Sequence, residues 1–226
     1  MHIIATLFLV LLALLPASAQ IAPTEAELRA YSGLHAAAAR GDVADIEKRI
    51  ASAEDKEATD SRRRTPLHVA VYQKKHDAAR ALIRLGADPN KFEIDRYDII
   101  TIAAVANDVP MLKIALEGGG NPQAVTSRYD GTALIAAAHL GHAEVVRTLI
   151  AARAPLDHVN NLQWTALIES IVLGDGGKNH IETLRALIDA GANINIPDGS
   201  GSTPLKLARN RGYREMVAIL EKSGAK

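Results

Sequence analysis

One short pattern recurs through nearly all of this 226-residue chain, and a chain that repeats itself at this interval does not fold around a single globular centre. A helix-start signal stands at Thr65-Pro66-Leu67-His68, then at Asp98, Thr132-Ala133-Leu134, Thr165-Ala166-Leu167 and Thr203-Pro204-Leu205, with a weaker first copy at Ser32-Gly33-Leu34-His35. The interval is about 33 residues, the length of a small supersecondary unit that must stack on its neighbours to bury its apolar face. After most starts the sequence runs small and apolar, and it meets a turn about nine positions on (Gly41, Lys74, Asn107, Gly141, Gly174, Gly212) before resuming as a second apolar-periodic stretch. Second stretches close at Leu85-Gly86-Ala87-Asp88, Gly118-Gly119-Gly120-Asn121 and Ala190-Gly191-Ala192-Asn193.

Each residue type in the unit has a mechanical role. The hydroxyls of Thr65, Thr132, Thr165 and Thr203 cap first helices, and Pro66 and Pro204 take a first helical position, where a missing N–H is no loss. Small residues such as Ala70, Ala103, Ala104, Ala136, Ala137 and Ala138 let first helices approach closely, while Leu82, Leu116, Leu149, Leu187 and Leu220 are expected to fill the space between second helices. Gly86, Gly119 and Gly191 fall just past second helices, where a left-handed residue closes the end, and Asp88, Asn121 and Asn193 open the following turn. At the front, Thr24 and Glu27 form a capping-box pattern for a helix expected to continue to about Arg40, and residues 52–64 read as a solvated hairpin loop.

This repeated pattern resembles the ankyrin-repeat family over nearly the whole chain after its first segment. The resemblance implies an all-α fold, an ankyrin-repeat solenoid of about six stacked helix-turn-helix repeats joined by hairpin-like loops. The repeats fall at approximately 28–61, 62–94, 95–128, 129–161, 162–198 and 199–226. It also implies a non-enzymatic protein–protein interaction scaffold that binds through hairpin tips and the exposed side of the first helices, the concave face. Carried onto the matching positions, that surface includes Arg62, Arg64, Tyr97, Arg128, Tyr129 and Trp164 before the caps, and Tyr72, His139, Leu140 and Leu173 after them. Trp164, the sole tryptophan, stands in a turn where the repeat requires no large ring, so it is either a binding anchor or a cover over the neighbouring hairpin.

The first segment is a different object. Residues 3–15 are an apolar run of about thirteen, too short to span a bilayer, followed by Pro16 and the small-x-small pattern Ala17-Ser18-Ala19. Residues 1–19 are therefore expected to be a cleaved export signal, although no Lys or Arg precedes the run, and 20–226 the repeat domain. The chain has no cysteine and no Asn-x-Ser/Thr acceptor, which removes disulfides and thiolate sites and favours a bacterial periplasm or secretion over a glycosylated secreted protein. The pieces Tyr129-Asp130-Gly131-Thr132 and Trp164-Thr165-Ala166-Leu167 resemble exported bacterial ankyrin proteins. That likeness implies an adaptor for a partner protein, with a periplasmic stress-defence enzyme as one class. A secreted effector or toxin-neutralising protein is the alternative, and a small-ligand protein would require a deep pocket near Glu169, His139 and Trp164.

Other chemistry finds little support. Lys plus Arg and Asp plus Glu both number 26, so nucleic acid and anionic membranes exert no general attraction. His139, His142, His158 and His180 lack the carboxylates or thiolates that would complete a metal set, and no phosphate loop, calcium loop or catalytic triad has its required spacing, so no cofactor is expected. The interval from Thr165 to Thr203 is about five residues longer than its neighbours, with the excess at 175–179. In the same unit Glu169 takes a position held elsewhere by Val69, Ile102, Ala136 and Leu207. It is expected either to accept hydrogen bonds from the inserted loop or a neighbouring repeat, or to form a polar notch for a partner.

Overall fold

The computed structural model describes residues 20–226, so the expected export segment, 1–19, lies outside the described residues. Among the described residues thirteen helices follow one another: α1 (Glu25–Ala30), α2 (Gly33–Arg40), α3 (Val43–Ala51), α4 (Pro66–Tyr72), α5 (His76–Arg84), α6 (Ile99–Val105), α7 (Val109–Glu117), α8 (Ala133–His139), α9 (Ala143–Ala151), α10 (Ala166–Val172), α11 (Lys178–Asp189), α12 (Pro204–Arg211) and α13 (Arg214–Lys222). From α2 onward they form six antiparallel pairs. First helices pack in one row, α2 on α4 through to α10 on α12, and second helices in another, α3 on α5 through to α11 on α13. Helices this short have little stability alone, so each depends on the layer beside it.

The sequence dictates where the helices start. Thr65, Thr132, Thr165 and Thr203 each accept the backbone N–H three residues on, and Asp98 does the same for Thr101 at 2.7 Å. Gly86, Gly119 and Gly191 have φ of 88°, 90° and 92°, the left-handed closure expected of them. The core is a continuous stack of buried Leu, Ile, Val and Ala. Leu82, Leu149, Leu187 and Leu220 are fully buried in it.

Loops and turns lock successive layers together. Hairpin loops join through backbone bonds from Ile94 N to Arg62 O (2.9 Å), Ser127 N to Arg96 O (3.1 Å) and Asn161 N to Tyr129 O (3.0 Å). At the helix–helix turns, His76 Nε2 reaches Asp108 (2.9 Å), His142 Nδ1 reaches Ala104 O (3.0 Å), His180 Nε2 reaches His139 O (2.9 Å) and Tyr213 donates its hydroxyl to Gly174 O (2.7 Å). His35 and His68 likewise reach backbone carbonyls of the next loop, Arg64 O at 2.9 Å and Lys91 O at 3.1 Å. The histidines thus serve as ties between layers. Burial pushes the His68 imidazole down to about 4, so it is neutral in the folded chain at physiological pH.

Several expectations are corrected. The first helix does not continue to Arg40: the chain is extended at Tyr31 and Ser32, where Tyr31 donates its hydroxyl to Asp60 (2.6 Å) and Glu54 accepts the Leu34 N–H (2.6 Å). Leu116 is only partly buried, because the register of α7 gives the inner site to Ala115. Part of the extra length lengthens α11 to twelve residues, so Lys178 and Asn179 are helical and the connecting loop is 173–177. Gly174, unlike the other five turn positions, does not have positive φ; a side chain there would collide with the Ser170 carbonyl and the His180 ring. Finally, the loop at 52–64 is not solvated throughout, since Arg64 is completely buried.

Candidate protein-binding groove

The groove is assembled from a polar residue placed five positions before each cap. Asp60 accepts the N–H groups of Arg62 and Arg64 (both 2.9 Å), Glu93 those of Asp95 and Tyr97 (2.9 and 3.1 Å), Asn160 those of Leu162 and Trp164 (both 3.0 Å), and Asp198 those of Ser200 and Ser202 (both 2.9 Å). In the fourth unit Ser127 makes only the shorter link, to Tyr129 N at 3.2 Å. Side chains acting on nearby backbone in this way fix each hairpin tip against the first helix that follows.

A cavity of about 420 Å³ lies between these tips and the first helices of the middle layers. Tyr97, Val105, Tyr129, Ile135, Ala136 and Leu140 give it a mostly apolar lining, and Thr101, Thr126, His139, Asn160 and Glu169 bring polar groups to it. Gln20 also lines it, its side-chain amide nitrogen buried without a hydrogen-bond partner. Around the cavity Tyr129, Leu140 and Leu162 leave apolar surface exposed.

Glu169 is the electrostatic centre of this groove. It is 4% exposed; Asn160 Nδ2 donates to its Oε1 at 2.9 Å, and His139 Nδ1 stands 3.4 Å from its Oε2. Burial pushes the carboxyl up to about 7, against the opposing pull of the Asn160 bond. Burial, and then the charge of His180, lowers the His139 imidazole, which makes it a poor counter-cation. Of the two expected donors, the neighbouring repeat, 129–161, supplies Asn160 and the inserted loop supplies none. That loop turns on itself, with Asp175 accepting from Gly177 N and His180 Nδ1, each at 2.8 Å.

A carboxyl raised in the folded state binds its proton more tightly than the unfolded chain does. Between pH 4.5 and about 7 the folded chain retains that proton while the unfolded chain releases it, so this site destabilises the fold increasingly as pH rises and fully above 7. A Glu169→Gln variant is expected to be more stable than the parent at pH 8, by at most about 3 kcal/mol, with the difference vanishing by pH 4.5. Urea unfolding at the two pH values measures this, and the opposite acid response of His68 cancels in the comparison. Equal stability at pH 8 would mean that the groove already solvates the carboxylate.

The positions expected at the interface are not all alike. Tyr97, Tyr129, His139 and Leu140 converge on the cavity. Arg62 and Arg128 are tied to the same carboxylate, Asp95, at 2.8 and 3.5 Å, which holds three successive hairpins in one charge cluster. Tyr72 is partly buried, with its hydroxyl buried and unpartnered, and burial raises that hydroxyl well above the usual range. Trp164 and Leu173 are partly buried and lie outside the cavity lining. Arg64 is corrected from surface to interior: its Nη2 reaches Glu27 at 2.5 Å, its Nε reaches Asp60 at 2.7 Å, and its Nη1 donates to Ile21 O at 3.3 Å. A guanidinium so enclosed is a structural clamp. Thr101, Thr126, Ile135 and Asn160 were missed by the cap-based mapping. The recurring polar residue five before each cap was the available signal for Asn160.

Comparison with known proteins gives a consistent picture. The sequence pattern described as "Ankyrin repeats (3 copies)" matches residues 6–93 and 100–198. The putative ankyrin repeat protein YahD of Escherichia coli (strain K12) is 32% identical over 190 residues, covering 84% of this chain and 94% of that protein. The mouse B-cell lymphoma 3 protein homolog is 28% identical over 93% of this chain, which spans only 48% of it. Among solved structures, an ankyrin repeat domain from Acinetobacter baumannii AYE superposes with a TM-score of 0.81 at 43% identity, over 85% of this chain and 98% of that one.

Proposed function

The chain belongs to the ankyrin-repeat family, and on that premise we propose that it is an exported bacterial adaptor that holds a partner protein against the concave face of its middle repeats. Ankyrin arrays serve as protein–protein interaction scaffolds and are generally non-enzymatic. The observation that carries the location is the groove lined by Tyr97, Tyr129, His139 and Leu140, mostly apolar and bordered by exposed Leu162. Apolar and aromatic surface of this kind supplies the desolvated centre of an interface, and charged rims such as Arg62 and Arg128 set orientation more than affinity. Export rests on the sequence of residues 1–19. Among the described residues no helix is long and apolar enough to cross a membrane. A periplasmic stress-defence enzyme is the partner class we favour, from the likeness to exported bacterial ankyrin proteins, and a secreted effector is the alternative.

The test is to express the tagged chain with its own leader in a bacterium, crosslink in the periplasm, and identify proteins recovered with the parent but not with Trp164→Ala. If Trp164 anchors the partner, the variant is expected to weaken the complex by about 2 kcal/mol or more with helicity unchanged in circular dichroism. Loss of helicity would make Trp164 a cover for the hairpins. A tag confined to the cytosol would overturn export, and a periplasmic tag without any stoichiometric partner would overturn the adaptor reading.

A further inference from the structure

Among the described lining residues of the groove, Glu169 is the sole acidic side chain and there is no lysine or arginine to pair with it. The nearest cationic candidate, His139, is held towards its neutral form by burial. A carboxylate shielded from water with no fixed counter-ion is costly to the folded chain and becomes favourable when a cation is brought to it. We propose, building on the adaptor reading, that the groove receives a lysine side chain of the partner polypeptide, its ammonium group on Glu169 and its hydrocarbon stem between Tyr97, Val105, Ile135 and Leu140.

The geometry selects lysine over arginine. Glu169 Oε1 is already engaged by Asn160, which leaves Oε2 as the principal free acceptor; a guanidinium makes its strongest contact with two parallel acceptors, whereas an ammonium is a compact charge satisfied by one. Apolar walls suit a four-carbon stem, and the low polarity around the carboxylate strengthens its attraction for the cation. The remaining donors of the ammonium have the Thr101 and Thr126 hydroxyls among the cavity's polar groups.

Short random peptides displayed on phage and selected against the full chain test this directly. A lysine recurring at one position is expected. Replacing it by norleucine in the best synthetic peptide should weaken binding about thirtyfold or more on the parent and hardly at all on Glu169→Gln, whose amide still accepts from Asn160. Circular dichroism verifies that the variant is folded. Three results would overturn the proposal while leaving the adaptor reading intact: peptides that lose binding on Leu140→Asp yet share no lysine, a norleucine penalty equal on both forms, and a selected arginine in place of lysine. If butylamine alone binds as tightly as the peptide, the groove is a small-amine site and the polypeptide assignment fails. Failure to select any groove-dependent peptide would count against both readings.

Discussion

Replacing Arg64 by alanine is expected to cost about 3–5 kcal/mol of stability, the range for removing one partner of a buried ion pair. Arg64 is fully buried and holds two carboxylates from different parts of the chain, Glu27 on α1 and Asp60 in the first hairpin, while its main chain accepts from His35. Without the guanidinium, Asp60 keeps its Tyr31 and backbone bonds but loses its charge partner. Burial by itself would raise the Asp60 carboxyl, yet the bonds from Tyr31 and Arg64 outweigh it and hold the group below its ordinary 3.8. The stabilisation is therefore present at neutral pH and is lost as acid carries the solution through that lowered value. Urea unfolding at pH 7 measures the loss, and limited proteolysis should show cleavage within residues 24–32 before the rest of the array opens. A loss below about 1 kcal/mol would mean that the pairs behave as exposed ones.

Truncating Leu149 to alanine is expected to cost about 2–5 kcal/mol. Leu149 is fully buried in α9 between the flanking second helices α7 and α11, in a layer whose small alanines leave little material to collapse into the void. Leu116→Ala is the informative control. Because Leu116 is only partly buried, its truncation should cost clearly less, although both leucines occupy the end of a second helix. Equal losses in urea unfolding would show that burial in the layer does not govern the response.

The fold was legible because it is written several times. Thr65, Thr132, Thr165 and Thr203 each carry a local instruction that neighbouring units repeat, so a single weak cap such as Ser32, which makes no side-chain bond, does not obscure the pattern. Registers and environments were harder to read. Leu116 and Ala115 are adjacent apolar residues, and periodicity alone does not decide which faces inward. Arg64 follows the same spacing as Tyr97 and Trp164, yet Glu27, far away in sequence, captures it. At the groove the sequence identified four lining residues through the repeat, and it marked Glu169 as anomalous. It did not identify Asn160 as the donor, because eight intervening residues, a cap among them, hide that meeting from any local pattern.

The ties at the helix–helix turns have a mechanical consequence. Helices pack against those of their own or adjoining layers, so the array is a ribbon whose flexibility is the sum of its joints. At each joint from the second layer onward a ring spans the gap: His76, His142, His180 and Tyr213. These rings lie at the turn end of the layers, while the hairpin tips form the opposite margin. They pin this margin of the ribbon, while the backbone bonds from Ser127 to Arg96 and from Asn161 to Tyr129 pin the tips beside the groove. Both margins of the groove are thus tied, and at the turn margin His180 fastens the very residue, His139, that stands beside Glu169.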